Sequence, residues 1–242
     1  MAVTQKAKEK IQIIRSGERH HQNFGWLDTR WHFSFAEYND PANEHWGALR
    51  VFNDDVVEAA QGFGMHPHRD MEIITIVLDG ALEHQDSLKN RGVIHPGEVQ
   101  VMSAGKGIVH SEFNHSKTAP LHLLQLWIFP RTRNLTPRWE QRVFDQKSRE
   151  GRLLPVVSSG DIPETLTIDQ DATIYLSNLH SGQKVTHDSK AGRLGYLFVI
   201  DGAVELSGQT LAKGDQARLA DQRNIEIQGT NDAEFIFLDL PR

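Results

Sequence analysis

Val77-Leu78-Asp79-Gly80-Ala81-Leu82-Glu83 reappears later in the chain as Val199-Ile200-Asp201-Gly202-Ala203-Val204-Glu205. In each copy an Asp-Gly pair, which is typical of a tight turn, separates two β-like runs. A second pair of turns follows in the same order, because Pro96-Gly97-Glu98 has its counterpart in Lys213-Gly214-Asp215. Two matched features in one order indicate a duplicated unit, so we predict two halves that share one strand plan.

Short β-like runs separated by turn residues also fill the rest of the chain. Helical periodicity is nearly absent, so we expect few short helices, one of them near Thr136–Phe144. This pattern is typical of an all-β sandwich or barrel and not of βαβ units. The predicted strands include Ala48–Asn53, Glu72–Leu78, Val99–Ser103, Leu121–Phe129, Ala172–Asn178, Gly195–Ile200 and Glu234–Leu240.

A basic segment separates the two halves. Residues 131–152 contain seven basic and three acidic residues, and they show little alternation. We therefore predict an N-terminal domain at residues 1–135, a connector at 136–152 and a C-terminal domain at 153–242. Such a basic run is usually a solvated loop, and a docking surface for a protein partner is the alternative.

Composition excludes several classes of protein. The 242 residues suffice for one large or two modest all-β units, and 38% hydrophobic content supports real cores. A net charge of −6 argues against direct nucleic-acid binding, and the lack of cysteine excludes disulfides and thiolate ligands. Met1–Arg19 shows no secretory signal, and no run approaches the roughly 18 apolar residues of a membrane span. We therefore expect a cytoplasmic protein, with a monomer as the default.

Histidine pairs form the main chemical signal. All five tryptophans and eleven of the thirteen histidines lie at or before Trp139, which places the chemistry in the N-terminal half. His66 and His68 lie two residues apart, as do His110 and Glu112, and such pairs share one face of a strand. Converging strands would create a site for one divalent transition metal, such as Fe(II), Mn, Co, Ni, Cu or Zn. A single His-x-His pair is often merely solvated, but two such pairs favour a metal site.

The choice of the carboxylate ligand stays open at this point. Glu72 shares a strand face with His66 and His68, whereas Glu112 follows His110 at the same short spacing. Strand parity therefore allows either glutamate to complete the site.

The N-terminal half resembles the pirin family of bicupins. The resemblance is dense from about Phe24 to Phe129 and diffuse after Gly151. His66-Pro67-His68 with Glu72 and Gly80 resembles the first cupin motif, and Gly97, Gly105, His110 and Asn114 resemble the second. Features similar to pirins in particular are Gly25-Trp26-Leu27-Asp28, His32-Phe33-Ser34-Phe35, Leu49-Arg50-Val51, Asn53-Asp54-Asp55 and Ser103-Ala104-Gly105 with Gly107.

The resemblance implies a fold, a ligand set and a reaction. It implies two cupin (jelly-roll) β-barrels stacked face to face, with Fe(II) in the N-terminal barrel on His66, His68, His110 and Glu112. It favours Glu112 over Glu72 as the carboxylate ligand, and Glu112 is also the candidate catalytic proton acceptor. The implied activity is that of a quercetin 2,3-dioxygenase, which opens a flavonol ring with O₂. The alternative is an iron-binding, redox-responsive regulator of a transcription factor or metabolic enzyme.

The C-terminal half is expected to lack a metal. Positions equivalent to the ligands, counted from Gly202 and Gly214, hold Asp188, Lys190, Ile227 and Gly229. His187 is expected at the surface, and His20 and His21 are expected to be solvated. Some of the remaining barrel histidines are expected to be hydrogen-bond partners of the ligands, namely His84, His95, His115 and His122.

Overall fold

The computed structural model describes residues 11–242. Residues 1–10, which include part of the segment Met1–Arg19 and of the predicted N-terminal domain, lie outside the described residues. The strands form two seven-stranded and two four-stranded sheets, and the two short 3₁₀ helices are Ser16–Glu18 and Gln146–Arg149. This architecture confirms the all-β prediction. Within residues 11–242, no helix has the length and apolar character that crossing a membrane requires.

The first barrel consists of one large and one small sheet. The large sheet has the order β12-β9-β6-β11-β4-β3-β2 and the small one the order β5-β10-β7-β8. Its strands are β2 His20–Asn23, β3 Leu27–Trp31, β4 Leu49–Val57, β5 Gly62–His68, β6 Glu72–Asp79, β7 Leu82–Asp86, β8 Arg91–Ile94, β9 Glu98–Ser103, β10 Ile108–Asn114, β11 Leu121–Ile128 and β12 Arg138–Val143.

The second barrel repeats this plan. Its large sheet has the order β1-β20-β17-β22-β15-β13-β14 and its small sheet the order β16-β21-β18-β19. The first strand of the described residues thus adds to the sheet of the second half. The strands are β1 Ile11–Ile14, β13 Leu154–Ser158, β14 Leu166–Thr167, β15 Thr173–Leu179, β16 Lys184–His187, β17 Leu194–Asp201, β18 Ala203–Leu206, β19 Gln209–Ala212, β20 Gln216–Ala220, β21 Ile225–Gly229 and β22 Ala233–Leu240.

The two large sheets pack against each other through one hydrophobic core. Phe52 and Ile74 from the first barrel belong to the same buried cluster as Tyr196 and Ile236 from the second. Alternate residues of the same strands point into each barrel, where a separate cluster fills the interior. Strands buried on both faces read as continuous apolar runs, and β6 and β17 do so. This packing confirms the predicted face-to-face arrangement.

The helix predicted near Thr136–Phe144 is wrong, because Arg138–Val143 forms strand β12. β12 pairs antiparallel with β9, and Trp139 and Gln141 donate hydrogen bonds to Gln100 and Val93 of the first barrel. Arg138 and Arg142, which lie on the opposite face of β12, instead reach the carbonyl oxygens of Thr167 and Glu164 in the second half. Contacts that alternate between the two halves from one residue to the next are typical of a strand.

Several basic side chains of residues 131–152 are engaged inside the molecule. Arg131 contacts Asp169 at 3.1 Å, and Arg149 contacts Glu234 at 2.7 Å. Together with Arg138 and Arg142, these contacts tie the two barrels together.

Candidate metal centre

Strands β5 and β10 bring three imidazoles together. The strands pair antiparallel, with His110 directly opposite His66 and Ile108 opposite His68. The ring centroid of His110 lies 4.4 Å from that of His66 and 4.8 Å from that of His68. One nitrogen from each ring lies within 4.8 Å of the others, which is a geometry that could hold a metal ion. The sequence pairs at His66/His68 and His110 therefore converge.

Glu112 belongs to a second, overlapping group. The register between β10 and β5 shifts here, because the step from His110 to Glu112 on β10 is opposed by the longer step from His66 to Phe63 on β5. Strand β10 itself pairs regularly with β7, so His110 and Glu112 keep the same strand face. Ligand atoms of His84, His110 and Glu112 also lie within 4.8 Å of one another. His110 is the member that both groups share.

A row of neutral donors holds the Glu112 carboxylate. Gln125, Thr75 and Gln100 lie directly opposite one another on β11, β6 and β9. Nε2 of Gln125 donates to Oε2 at 2.7 Å, while Thr75 Oγ1 and Gln100 Nε2 donate to Oε1 at 3.4 and 3.5 Å. Trp127 and Trp139 donate in turn to the two glutamine oxygens. Within residues 11–242 no Lys or Arg pairs with this buried carboxylate.

The imidazoles of His68 and His110 are held in the neutral form that a metal requires. Burial, followed by the neighbouring imidazoles, lowers the pKa of His68 to about 4 and that of His110 to about 3. Nε2 of His110 is buried without any hydrogen-bond partner among the described residues. Nδ1 of His66 lies 2.7 Å from the carbonyl oxygen of Gly64, which can only accept, so Nε2 keeps a free lone pair.

These observations fit a divalent metal ion. One cation among these groups would explain three features. They are the unpartnered buried nitrogen of His110, the neutral imidazoles of His68 and His110, and the Glu112 carboxylate without a cationic partner. The donor set combines borderline nitrogen with one hard oxygen, which suits transition metals.

His84 is the histidine that lies beside the ligands. Its side chain is fully buried, and its Nδ1 lies 3.4 Å from Nδ1 of His110. Its ring stacks on Trp139 at 5.5 Å between centroids, and its Nε2 lies 3.5 Å from Asp86 Oδ2. The sequence pattern indicates His84 only as one of four candidate hydrogen-bond partners of the predicted ligands. The others lie elsewhere: His115 bonds to Glu83, His122 bonds to Asp54, and His95 is exposed.

Glu72 faces away from the metal cluster. Its Oε2 accepts a hydrogen bond from Oγ of Ser103, and burial raises the pKa of its carboxyl group. It belongs to neither of the two candidate metal groups. The structure therefore gives Glu72 a different set of contacts from those of Glu112.

The second barrel has an apolar interior in place of a metal cluster. Ile227 is fully buried there among Leu197, Val199 and Phe235, and no third candidate metal group occurs within residues 11–242. The prediction of a surface position for His187 is wrong. Its side chain is only 11% exposed, because its Nε2 bonds to Asp239 Oδ2 at 2.6 Å.

Comparison with known proteins finds relatives that match almost the whole chain. Quercetin 2,3-dioxygenase of Escherichia coli (strain K12) is 45% identical over 232 residues, covering 96% of this chain and 99% of the relative. Putative quercetin 2,3-dioxygenase PA1210 of Pseudomonas aeruginosa is 42% identical over 221 residues, covering 91% and 95% of the two chains. The crystal structure of bacterial pirin YhhW from Escherichia coli in complex with nickel(II) superposes with a TM-score of 0.91 at 43% identity, over 96% of this chain and 99% of that one.

Two protein-family models match the two halves. The Pirin family model matches residues 13–128, and the model of the quercetinase C-terminal cupin domain matches residues 155–240. The resemblance seen in the N-terminal motifs is thereby confirmed and extends to the second barrel. This chain belongs to the pirin family.

Proposed function

We propose that this protein is a metal-dependent dioxygenase that opens the heterocycle of a flavonol such as quercetin with O₂. The observation that carries the proposal is a group of three imidazoles that shares His110 with the buried Glu112; burial keeps His68 and His110 neutral, and the carboxylate has only neutral hydrogen-bond partners. A relative that matches almost the whole chain at 45% identity bears the name quercetin 2,3-dioxygenase. Fold alone would not support an activity, whereas the site and the near full-length similarity together do.

The proposed metal site uses His66, His68, His110 and Glu112 and holds one divalent ion per chain. We favour iron(II), and the same donor set also suits Ni, Co, Mn, Cu or Zn. When bound, such an ion supplies Lewis acidity toward an enol oxygen and a binding position for O₂.

Glu112 is the proposed proton acceptor for the flavonol 3-hydroxyl group. Gln125, Gln100 and Thr75 hold its carboxylate in place and leave its negative charge uncompensated. Because Glu112 itself is buried, a proton transferred from the substrate would remain on this carboxylate and not pass directly to bulk water.

Aromatic side chains beside the imidazoles would bind the planar substrate. The ring of Trp127 lies 4.9 Å from that of His68, and the ring of Phe63 lies 6.3 Å from that of His66. Rings at these distances offer edge and face contacts to a flavonol.

The test compares quercetin with luteolin, which has the same rings but lacks the 3-hydroxyl group. Iron-loaded protein should consume O₂ and release carbon monoxide with quercetin and do neither with luteolin. Glu112→Gln keeps the shape of the side chain and should lower kcat by about 10² or more. Equal oxygen loss with both compounds would contradict the proposed role of the 3-hydroxyl. Metal-loaded protein without turnover on a panel of flavonols would favour a regulatory protein instead.

A further inference from the structure

A second cavity lies between the two barrels, away from the metal cluster. Its volume is about 290 Å³, and it shares no lining residue with either candidate metal group. Its rim includes the exposed residues Gln12 and Glu18, whereas Arg19, His32 and Arg218 line it from buried positions. The cavity therefore connects solvent to a set of buried polar groups.

One of the two buried arginines is neutralised by an acid. Nη1 of Arg19 lies 2.8 Å from Oδ2 of Asp54, and the pKa of Asp54 is well below its ordinary value, chiefly through the hydrogen bonds from His122 and Arg19, which outweigh its burial. Arg19 also contacts Nε2 of His32 at 3.1 Å. This guanidinium has its counter-charge within the fold.

Arg218 has no such partner. It is 7% exposed, and its Nη2 donates to the carbonyl oxygen of His32 at 3.1 Å and to Oδ1 of Asn43 at 2.7 Å. Its guanidinium lies 4.5 Å from the ring centroid of Phe33. Within residues 11–242, Nε is buried without a hydrogen-bond partner, Nη1 donates to no atom, and no carboxylate lies within ion-pair distance.

The two acids that line the cavity do not neutralise Arg218. Oε2 of Glu18 accepts a hydrogen bond from the backbone N–H of Arg15 at 2.6 Å. Oδ1 of Asp40 accepts one from the backbone N–H of Ala42 at 3.0 Å. A buried cation without a counter-charge is costly, so an anion that enters the cavity would gain from pairing with it.

Aromatic rings form one wall of the cavity. His20 stacks on Tyr38, with centroids 4.2 Å apart, and on Trp31 at 5.4 Å. His20, which was expected to be solvated, is half-buried, because β2 pairs with β3 and holds its ring against Trp31. This wall offers apolar contact to a planar molecule beside the cation.

We propose that this cavity binds a small aromatic carboxylate, with the carboxylate on the guanidinium of Arg218 and the ring against His20, Trp31 and Tyr38. Arginine binds carboxylates through charge-assisted hydrogen bonds, and Nη1, which donates to no atom of residues 11–242, is available for such a bond. The volume lies at the lower end of the range for small-molecule sites, which selects a ligand about the size of benzoate.

The test measures benzoate and benzamide binding to the metal-loaded full chain by isothermal titration calorimetry. Benzoate should bind one per chain, and neutral benzamide should bind at least tenfold more weakly. Arg218→Met should weaken benzoate binding at least tenfold. Arg149→Met is the matched control, because Arg149 is equally buried but already paired with Glu234 at 2.7 Å.

A second variant tests the same idea without removing the arginine. Asn43→Asp would place a carboxylate beside Nη2 of Arg218 and should abolish benzoate binding while the protein remains folded by circular dichroism. The proposal is overturned if benzoate fails to bind the natural chain, or if both variants bind it normally. It is equally overturned if metal removal abolishes binding and Arg218→Met does not, since the carboxylate would then bind at the metal.

Discussion

Nε2 of Gln125 lies 2.7 Å from Oε2 of Glu112, so a neutral amide holds the one acid of the metal cluster. Gln125 is held in turn by Nε1 of Trp127, which donates to its Oε1 at 3.1 Å. A neutral donor fixes the carboxylate without neutralising it. An arginine in the same place would compete with the metal ion for the negative charge.

Gln125→Leu should weaken metal binding by 10- to 100-fold, because outer hydrogen bonds of this kind orient a ligand and tune its charge. The measurement is a metal titration of the metal-free protein. Gln85→Leu is the control, since Gln85 is exposed and donates only to Glu83. Equal affinity in the natural chain and both variants would show that the hydrogen bond does not position Glu112.

Two glycines of β5 provide a matched pair of backbone variants. A Cβ at Gly62 would lie 2.3 Å from the carbonyl oxygen of Glu112, whereas a Cβ at Gly64 would meet no atom within 4 Å. Gly62→Ala should therefore push β5 away from β10, lower the unfolding free energy by about 1–3 kcal/mol and reduce metal content. Gly64→Ala should change neither quantity. Thermal unfolding and metal analysis measure both quantities. The same stability and metal content in Gly62→Ala and Gly64→Ala would contradict the close approach of β5 to β10.

Adjacent acids on β4 should give opposite pH dependence. Burial raises the pKa of Asp55 to about 7, so its contribution to stability is full below its ordinary value of 3.8 and is lost as pH rises through 7. The pKa of Asp54 is lowered, mainly by hydrogen bonds from His122 and Arg19 that exceed the effect of burial, so its contribution is present above 3.8 and lost as pH falls.

Urea unfolding of the metal-free protein at pH 5 and pH 8 checks this contrast. Relative to the natural chain, the free energy of unfolding of Asp55→Asn should rise by about 3 kcal/mol between pH 5 and pH 8, since each pH unit between pH 5 and the pKa of about 7 is worth about 1.4 kcal/mol. The free energy of unfolding of Asp54→Asn should be about 3 kcal/mol lower than that of the natural chain at both pH 5 and pH 8, because Arg19 is left buried without its partner. The same pH slope in all three proteins would rule out a raised pKa at Asp55.

His68→Ala and Glu112→Ala should each abolish metal binding and activity while the fold persists. The barrels have apolar cores of their own, so the ion is not needed to hold the strands together. Metal content by elemental analysis and near-ultraviolet circular dichroism check both parts. Normal metal content in both variants would refute the proposed ligand set.

Much of the fold could be predicted from the sequence, because strands buried on both faces are marked by continuous apolar runs. The runs Glu72–Leu78 and Gly195–Ile200 agree with β6 and β17 to within one residue at each end. A helix is predicted near segment 138–143, which forms a strand, because the segment lacks the apolar–polar alternation that marks most strands. Its alternate side chains instead contact different barrels. Its partners, Gln100 and Thr167, are distant in sequence and become neighbours only in the fold.

The candidate site was predictable in part for a similar reason. Spacing within a strand is local, so the His66/His68 and His110/Glu112 pairs are visible in the sequence. The register shift of β5 opposite His110 and Glu112, the position of His84 and the row of donors around Glu112 depend on the pairing between strands. Nothing local distinguishes Gln125 from an ordinary strand glutamine, and nothing local marks Arg218 as an unpaired cation.

The most direct test of the proposed activity loads metal-free protein anaerobically with increasing amounts of iron(II) and measures bound iron and quercetin-dependent oxygen uptake in each sample. We predict that the rate of uptake rises in proportion to bound iron and levels off at one ion per chain. Bound iron at one per chain with no oxygen uptake at any loading would contradict the dioxygenase assignment.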